Sequence, residues 1–94
     1  PLSNIVKYAD INNTYRTYGI IKEVKLTKTK KKKETMAFIT ITDGKGNEVR
    51  CVLFPEAYAQ YHEYVNEDNI VFIRGQYQED GNMVVNDVKL VKEA

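Results

Sequence analysis

From Tyr15 to Val91 apolar and polar residues alternate mainly with period two, which sends successive side chains to opposite faces of a strand. The first such run extends from Tyr15 to about Leu26, with Tyr15, Thr17, Gly19 and Ile21 on one face. Arg16, Tyr18 and Ile20 occupy the other. Gly19 interrupts a β-branched and aromatic stretch, which marks a bulge or sharp bend in a strand long enough to serve two sheets. Beyond it Val24 and Leu26 are expected inward, and Lys22 and Lys25 toward solvent. Residues 27 to 35, TKTKKKKET, have no apolar side chain and predict a mobile loop. Met36 to Thr42 alternates again, with Ala37, Ile39 and Ile41 inward and Met36, Phe38, Thr40 and Thr42 outward. A turn over residues 43 to 47 leads to a third run, Glu48 to Phe54. There Val49, Cys51 and Leu53 are expected inside, and Glu48, Arg50 and Val52 outside.

The period then changes. Pro55 suits the first position of a helix, where its missing N–H costs nothing. Ala57, Tyr58, Tyr61 and Val65 recur at helical spacing with Phe54 leading in, so this helix should plug one end of a barrel. Residues 66 to 69 end it. Ile70 to Gln78 forms a fourth strand with Gly75 at its centre. Asp80-Gly81 then predicts a tight hairpin turn. The fifth strand, Met83 to Val91, has Val84 or Val85, Val88 and Leu90 as anchors, and the tail Lys92–Ala94 is expected to fray. Residues 1 to 13 are a weakly patterned lead-in, in which Ile5, Val6, Ala9 and Ile11 form a short helix or an extended cover. Three strands, a helix and two strands, with glycines inside strands one and four, predict an all-β fold with one helix. It is a five-stranded OB-fold Greek-key barrel over residues 14 to 91, within a single domain spanning 1 to 94. A split sheet with one helix leaves the two glycines unexplained.

Composition narrows the function classes. One cysteine, Cys51, allows neither an internal disulfide nor a zinc cluster and suits a reducing, cytoplasmic setting. No apolar run is long enough to span a membrane as a helix. The chain starts Pro1-Leu2-Ser3 without an initiator Met and reads as a domain cut from a longer protein. Residues 1 to 50 hold eleven Lys and Arg against five acids, whereas residues 51 to 94 hold three against eight, so one side suits an anionic partner. His62 has no Ser or Cys at a useful spacing, and Asp43, Asp80 and Asp87 form no metal-ligand pattern. Neither an enzyme nor a cofactor or metal site is expected of this domain.

The segment MAFITITD followed by EVRCVLFPEAYAQY resembles the OB domain of the bacterial replicative DNA polymerase III alpha subunit. Met36, Ala37, Phe38, Asp43, Phe54, Pro55, Glu56 and Tyr58 carry the likeness, which extends from Gly19 to about Val88. A wider resemblance is to the anticodon-binding OB domain of class II aminoacyl-tRNA synthetases, the aspartyl and asparaginyl enzymes. In that domain the aromatic matching Phe38 stacks on a base, and a polar residue near Arg50 reads one. Where the polymerase family commonly has a Thr-Lys-Lys-Gly-type loop, this chain has Lys30 to Thr35, a version closer to low-GC Gram-positive alpha subunits. The resemblance implies a parent DNA-directed DNA polymerase whose nucleotidyl-transfer carboxylates lie outside this domain.

Single-strand-binding OB domains combine a basic groove for phosphates with exposed aromatics for bases. Lys25, Lys28 and Lys30, Lys31, Lys32 and Lys33 are the phosphate candidates. Phe38 and Tyr18 are the stacking candidates, Arg50 a planar cation for either task, and Thr40 a hydroxyl beside them. Glu79 and Asp80 make the opposite loop acidic, so a lopsided site is expected. The expected partner is single-stranded DNA, bound without sequence preference by a monomeric domain that holds template strand for the polymerase. The alternatives are a protein-interaction module contacting replisome subunits or neighbouring domains, and an RNA-binding OB domain.

Overall fold

The computed structural model describes residues Pro1–Ala94. Its elements are α1 (Leu2–Tyr8), β1 (Thr14–Lys28), β2 (Thr35–Thr42), β3 (Glu48–Leu53), α2 (Pro55–Tyr61), a 3-10 turn (His62–Tyr64), β4 (Ile70–Tyr77) and β5 (Met83–Lys92). The strands close into a barrel in the order β1-β2-β3-β5-β4. Only the β3–β5 seam is parallel, and it is short, with Cys51 beside Met83 and Val52 beside Val84. This is the expected Greek-key barrel, with its helix between β3 and β4.

β1 can close the barrel because it serves two sheets. Residues 14 to 20 pair with β4, and residues 20 to 28 pair with β2. The register slips between Ile21 and Glu23, so a bulge at Lys22 reverses which parity points inward. Thr17, Gly19 and Ile21 are buried before it, and Val24 is the half-buried residue after it. The bulge therefore lies three residues beyond Gly19. Gly19 itself is required by close approach: a Cβ there would lie 2.4 Å from Ile41 Cγ2 and 2.8 Å from the Thr42 carbonyl oxygen. Leu26, expected inward, is exposed; at the far end of this long strand its position opposite Ala37 lies near the hairpin tip.

Ile21, Ile39, Ile41, Leu53, Val71, Ile73, Met83 and Val85 form the fully buried centre, as strand alternation requires. Cys51 joins them, and burial pushes its thiol up to about 12, which leaves it a core residue and not a nucleophile. Met36 and Val52 were expected outside, yet both are buried. Val52 sits between Phe38 on β2 and Val84 on β5, and side chains on both flanks exclude water from a mid-sheet position.

α1 turns Leu2 and Ile5 into the core, leaving Val6 and Ile11 exposed against expectation. In α2, Ala57, Tyr58 and Tyr61 are half-buried, while Phe54 caps the helix from an exposed position and Leu90 is likewise only partly covered. β5 continues to Lys92, and in the tail beyond it the Ala94 amide donates to Asn69 Oδ1 at 2.9 Å. Asn69 also donates through its side chain to the Tyr64 carbonyl and accepts the Ile21 amide on its own carbonyl. One buried asparagine thus ties the β1 bulge to the end of the helical segment and the last residues.

Thr17 is buried opposite Ile73, and its hydroxyl has no hydrogen-bond partner. A buried hydroxyl left unpaired costs about 1–3 kcal/mol, and valine has nearly the same shape. Thr17→Val is therefore expected to stabilise the barrel by about 1 kcal/mol, raising Tm by roughly 4–8 °C in a thermal melt. An unchanged or lower Tm would contradict that account.

Candidate nucleic-acid interface

Strand pairing decides which candidate residues meet. Across β1, β2, β3 and β5, one outward row reads Lys25, Phe38, Val52, Val84, and the next reads Glu23, Thr40, Arg50. Lys25, Phe38, Thr40 and Arg50 therefore converge, and with Glu23 they line an open groove of about 240 Å³. Phe38 is half-buried and supplies the groove's one apolar surface, while Lys25 and Arg50 are exposed beside it.

The charges of this groove are unevenly balanced. Lys25 lies 3.6 Å from Glu23, so part of its charge is compensated. The other ion pair joins Lys22 to Glu48, and that hydrogen bond raises the lysine pKa. Glu48 is thereby occupied next to Arg50, which itself forms no ion pair. Asp43, one of the residues carrying the polymerase resemblance, has a local structural task. Its carboxylate accepts the Asn47 side chain and the Lys45 and Asn47 amides, which holds its pKa low.

The lysine segment closes as a hydrogen-bonded turn. Lys28 pairs with Thr35 at the hairpin end. The Thr29 amide donates to the Glu34 carbonyl, the Lys33 amide to the Thr29 carbonyl, and the Glu34 amide to Thr29 Oγ1. Lys33 adopts φ +55°, a left-handed conformation that lets the turn close. Lys28 and Lys30 to Lys33 are all exposed and make no ion pair. At about 3.3 Å per residue, Lys28 stands some 10 Å along the strand from Lys25, so the cationic turn begins where the Phe38 groove ends. At the groove's other side a depression is lined by Val52, Phe54, Val84, Gln78, Glu79, Asp80 and Asn82. One rim is basic and the other acidic, as expected.

Two residues change places relative to the sequence reading. Tyr18 pairs with Phe72 of β4 and lies on the β1–β4 side of the barrel, so the register does not bring it to Phe38. Glu23 enters the groove because the bulge at Lys22 moves it to the Phe38 face. Its signal was present: a glutamate at the parity of Thr17, Gly19 and Ile21 would be buried unless that parity reverses. His62 is exposed, and no group of three His, Cys, Asp or Glu side chains is placed to hold a metal ion. No helix is long and apolar enough to cross a membrane.

A barrel of this order, with Phe38 and the unpaired Arg50 on its β2–β3 face beside a lysine turn, has the form of a nucleic-acid-binding OB module. Residues 15–91 match the tRNA anti-codon family of OB-fold nucleic acid binding domains, and the chain belongs to that family. It is similar to the DNA polymerase III subunit alpha of Aquifex aeolicus, with 37% identity over 62 residues. That stretch is 66% of this chain and only 5% of the polymerase subunit. Among solved structures, the mitochondrial single-stranded DNA binding protein Rim1 of S. cerevisiae superposes with a TM-score of 0.71 at 19% identity, covering 88% of this chain and 98% of Rim1. The asparaginyl-tRNA synthetase of Entamoeba histolytica gives 0.68 at 16% identity, covering 93% of this chain and 22% of the enzyme. At those identities the two structures share the fold.

Proposed function

We propose that this chain is a sequence-tolerant single-stranded DNA-binding module of a bacterial replicative DNA polymerase III alpha subunit, working in the cytoplasm and holding template strand for a polymerase site elsewhere in the parent protein. The observation that carries this reading is the convergence of Phe38, Lys25, Thr40 and Arg50 on one open face, continuous with the unpaired lysine turn. Phe38 offers a flat surface to a base, and stacking is sequence-tolerant because every base has a π-face. Arg50 and Lys25 meet the flanking phosphates, Thr40 supplies a hydroxyl between them, and the lysines of the turn extend the track. The alpha-subunit likeness supports the replicative assignment, and replisome subunits or neighbouring domains of the parent are the natural protein contacts.

Titration of fluorescent oligo-dT at several salt concentrations tests this directly. Binding is expected to be micromolar or weaker and to fall steeply with salt, as phosphate neutralisation requires. Phe38→Ala is expected to weaken it by about 1–3 kcal/mol, roughly 5- to 150-fold, with the salt slope unchanged, because a stacked ring releases no counterions. Wild-type affinity in Phe38→Ala would remove the ring from the site. The anti-codon family match also favours an RNA reading. Tighter binding of oligo-rU than oligo-dT would select it.

A further inference from the structure

The outer face of the β1–β4–β5 sheet carries a second set of side chains that the Phe38 groove does not use. In the β1–β4 ladder Arg16 stands directly opposite Arg74, and Tyr18 opposite Phe72. In the β4–β5 ladder Asp87 stands opposite Arg74, and Lys89 opposite Phe72. One row thus reads Arg16, Arg74, Asp87, and its neighbour reads Tyr18, Phe72, Lys89. Tyr18 is 59% exposed and Phe72 39%, and the three cations are exposed beside them. Arg16, Phe72, Arg74, Asp87 and Lys89 line a shallow depression of about 160 Å³.

Like charges directly opposite each other in an antiparallel ladder repel and destabilise the pair. Asp87 is placed to relieve the two arginines, yet it forms no ion pair with either. Its Oδ1 instead accepts the Tyr61 hydroxyl at 2.9 Å, which turns the carboxylate toward α2. Arg16, Arg74 and Lys89 thus form no ion pair, and Asp87 alone offsets part of their charge beside two adjoining exposed rings. That arrangement is unfavourable in water alone and becomes favourable when a polyanion neutralises the guanidinium pair.

We infer that the outer face of the β1–β4–β5 sheet is a second contact surface for single-stranded nucleic acid, with Arg16, Arg74 and Lys89 on phosphates and Tyr18 and Phe72 under bases. Flat aromatic faces set among cations match a polymer that alternates planar bases with phosphates. An acidic protein segment would satisfy the arginines but has no comparable partner for the paired rings. The surface is distinct from the Phe38 groove and does not depend on it. β1 contributes to both faces, so a strand occupying both would wrap around β1 at its bulge.

The test uses the 94-residue chain and an oligo-dT of about 30 nucleotides, longer than the roughly 4–16 that one OB fold occupies. Photo-cross-linking with 5-iododeoxyuridine in that oligonucleotide is expected to label Tyr18 or Phe72, and to do so in F38A as well as in the parent. The double variant R16Q/R74Q is expected to bind about fivefold or more weakly at low salt, with the salt slope reduced by about 1.4, the share of two phosphates. Its Tm should hold or rise, since a like-charge pair has been removed, which separates lost binding from lost folding. Absence of label at both rings, with R16Q/R74Q binding oligo-dT like the parent, would overturn the inference. Binding of poly-Glu that R16Q/R74Q abolishes while oligo-dT binding stays intact would also overturn it, assigning the face to an acidic protein segment.

Discussion

Replacing Lys30, Lys31, Lys32 and Lys33 together with glutamine is expected to flatten the salt dependence of oligo-dT binding more than any other surface change in this chain. The four side chains leave one short turn, all exposed and none held by an acid, so their charge is free for phosphate. For single strands each neutralised phosphate contributes about 0.7 to the slope of log affinity against log salt. If all four engage, the slope falls by about 3, and over a fourfold rise in salt the parent loses some 50-fold more affinity than the variant. Folding should survive, because the turn is closed by backbone amides and the Thr29 hydroxyl and not by lysine side chains. The contrast with Phe38→Ala is the informative part. The lysine variant should approach the parent at high salt, where counterion release contributes little, whereas the phenylalanine variant should remain weaker throughout. Parallel salt plots for the parent and the lysine variant would show that the turn does not touch phosphate.

The barrel was legible because its interior tolerates only one parity of each strand. Ala37, Ile39 and Ile41 on β2, and Val49, Cys51 and Leu53 on β3, are all buried as their alternation predicts. Errors arose where parity reversed or where the outer face was itself crowded. The bulge at Lys22 brought Glu23 into the groove, and neighbouring strands covered Val52. The parity reversal had a local signal in Glu23, whereas the covering of Val52 depends on which strands lie alongside. Tyr18 illustrates the same limit. It shares a strand with Lys25, yet the first half of that strand pairs with β4 and the second with β2, which assigns the two residues to different faces. The shape of the lysine turn was equally hidden, because backbone hydrogen bonds and one threonine hydroxyl close it, without any apolar anchor. The meeting of Phe38 with Arg50 was readable only as a shared face. The observed register makes it specific by pairing Arg50 with Thr40, two residues along from the Phe38–Val52 pair and on the same face.

Gly75→Ala is expected to be strongly destabilising for a single methyl addition, and to reach the binding face through β5. A Cβ at position 75 would lie 2.7 Å from the Val84 carbonyl oxygen, 3.1 Å from the Val84 carbonyl carbon and 3.2 Å from Val85 Cα. Those are backbone atoms, so no rotamer change relieves them and β4 and β5 must separate. Gly19 is similarly tight, with Cγ2 of the fully buried Ile41 at 2.4 Å and the Thr42 carbonyl oxygen at 2.8 Å. The register already slips between Arg74 and Gly75, so the ladder has little regular pairing there to absorb a shift. Forced overpacking of this kind costs about 3 kcal/mol, a Tm fall of roughly 12–24 °C for a domain of this size. Gly44→Ala is the matched control. Its φ of +77° disfavours a side chain, but no atom lies within 4 Å of the added Cβ, so only the backbone strain of about 1–2 kcal/mol remains. The consequence for binding follows from the seam that β5 makes with β3. Only Cys51–Met83 and Val52–Val84 join those strands, and Val52 and Val84 continue the row that begins at Lys25 and Phe38. Moving β5 to accommodate a methyl at position 75 therefore loosens the support beneath Phe38. Among molecules that remain folded, Gly75→Ala should bind oligo-dT more weakly than Gly44→Ala. Equal stability of the two variants would show that the β4–β5 contact can give way without cost.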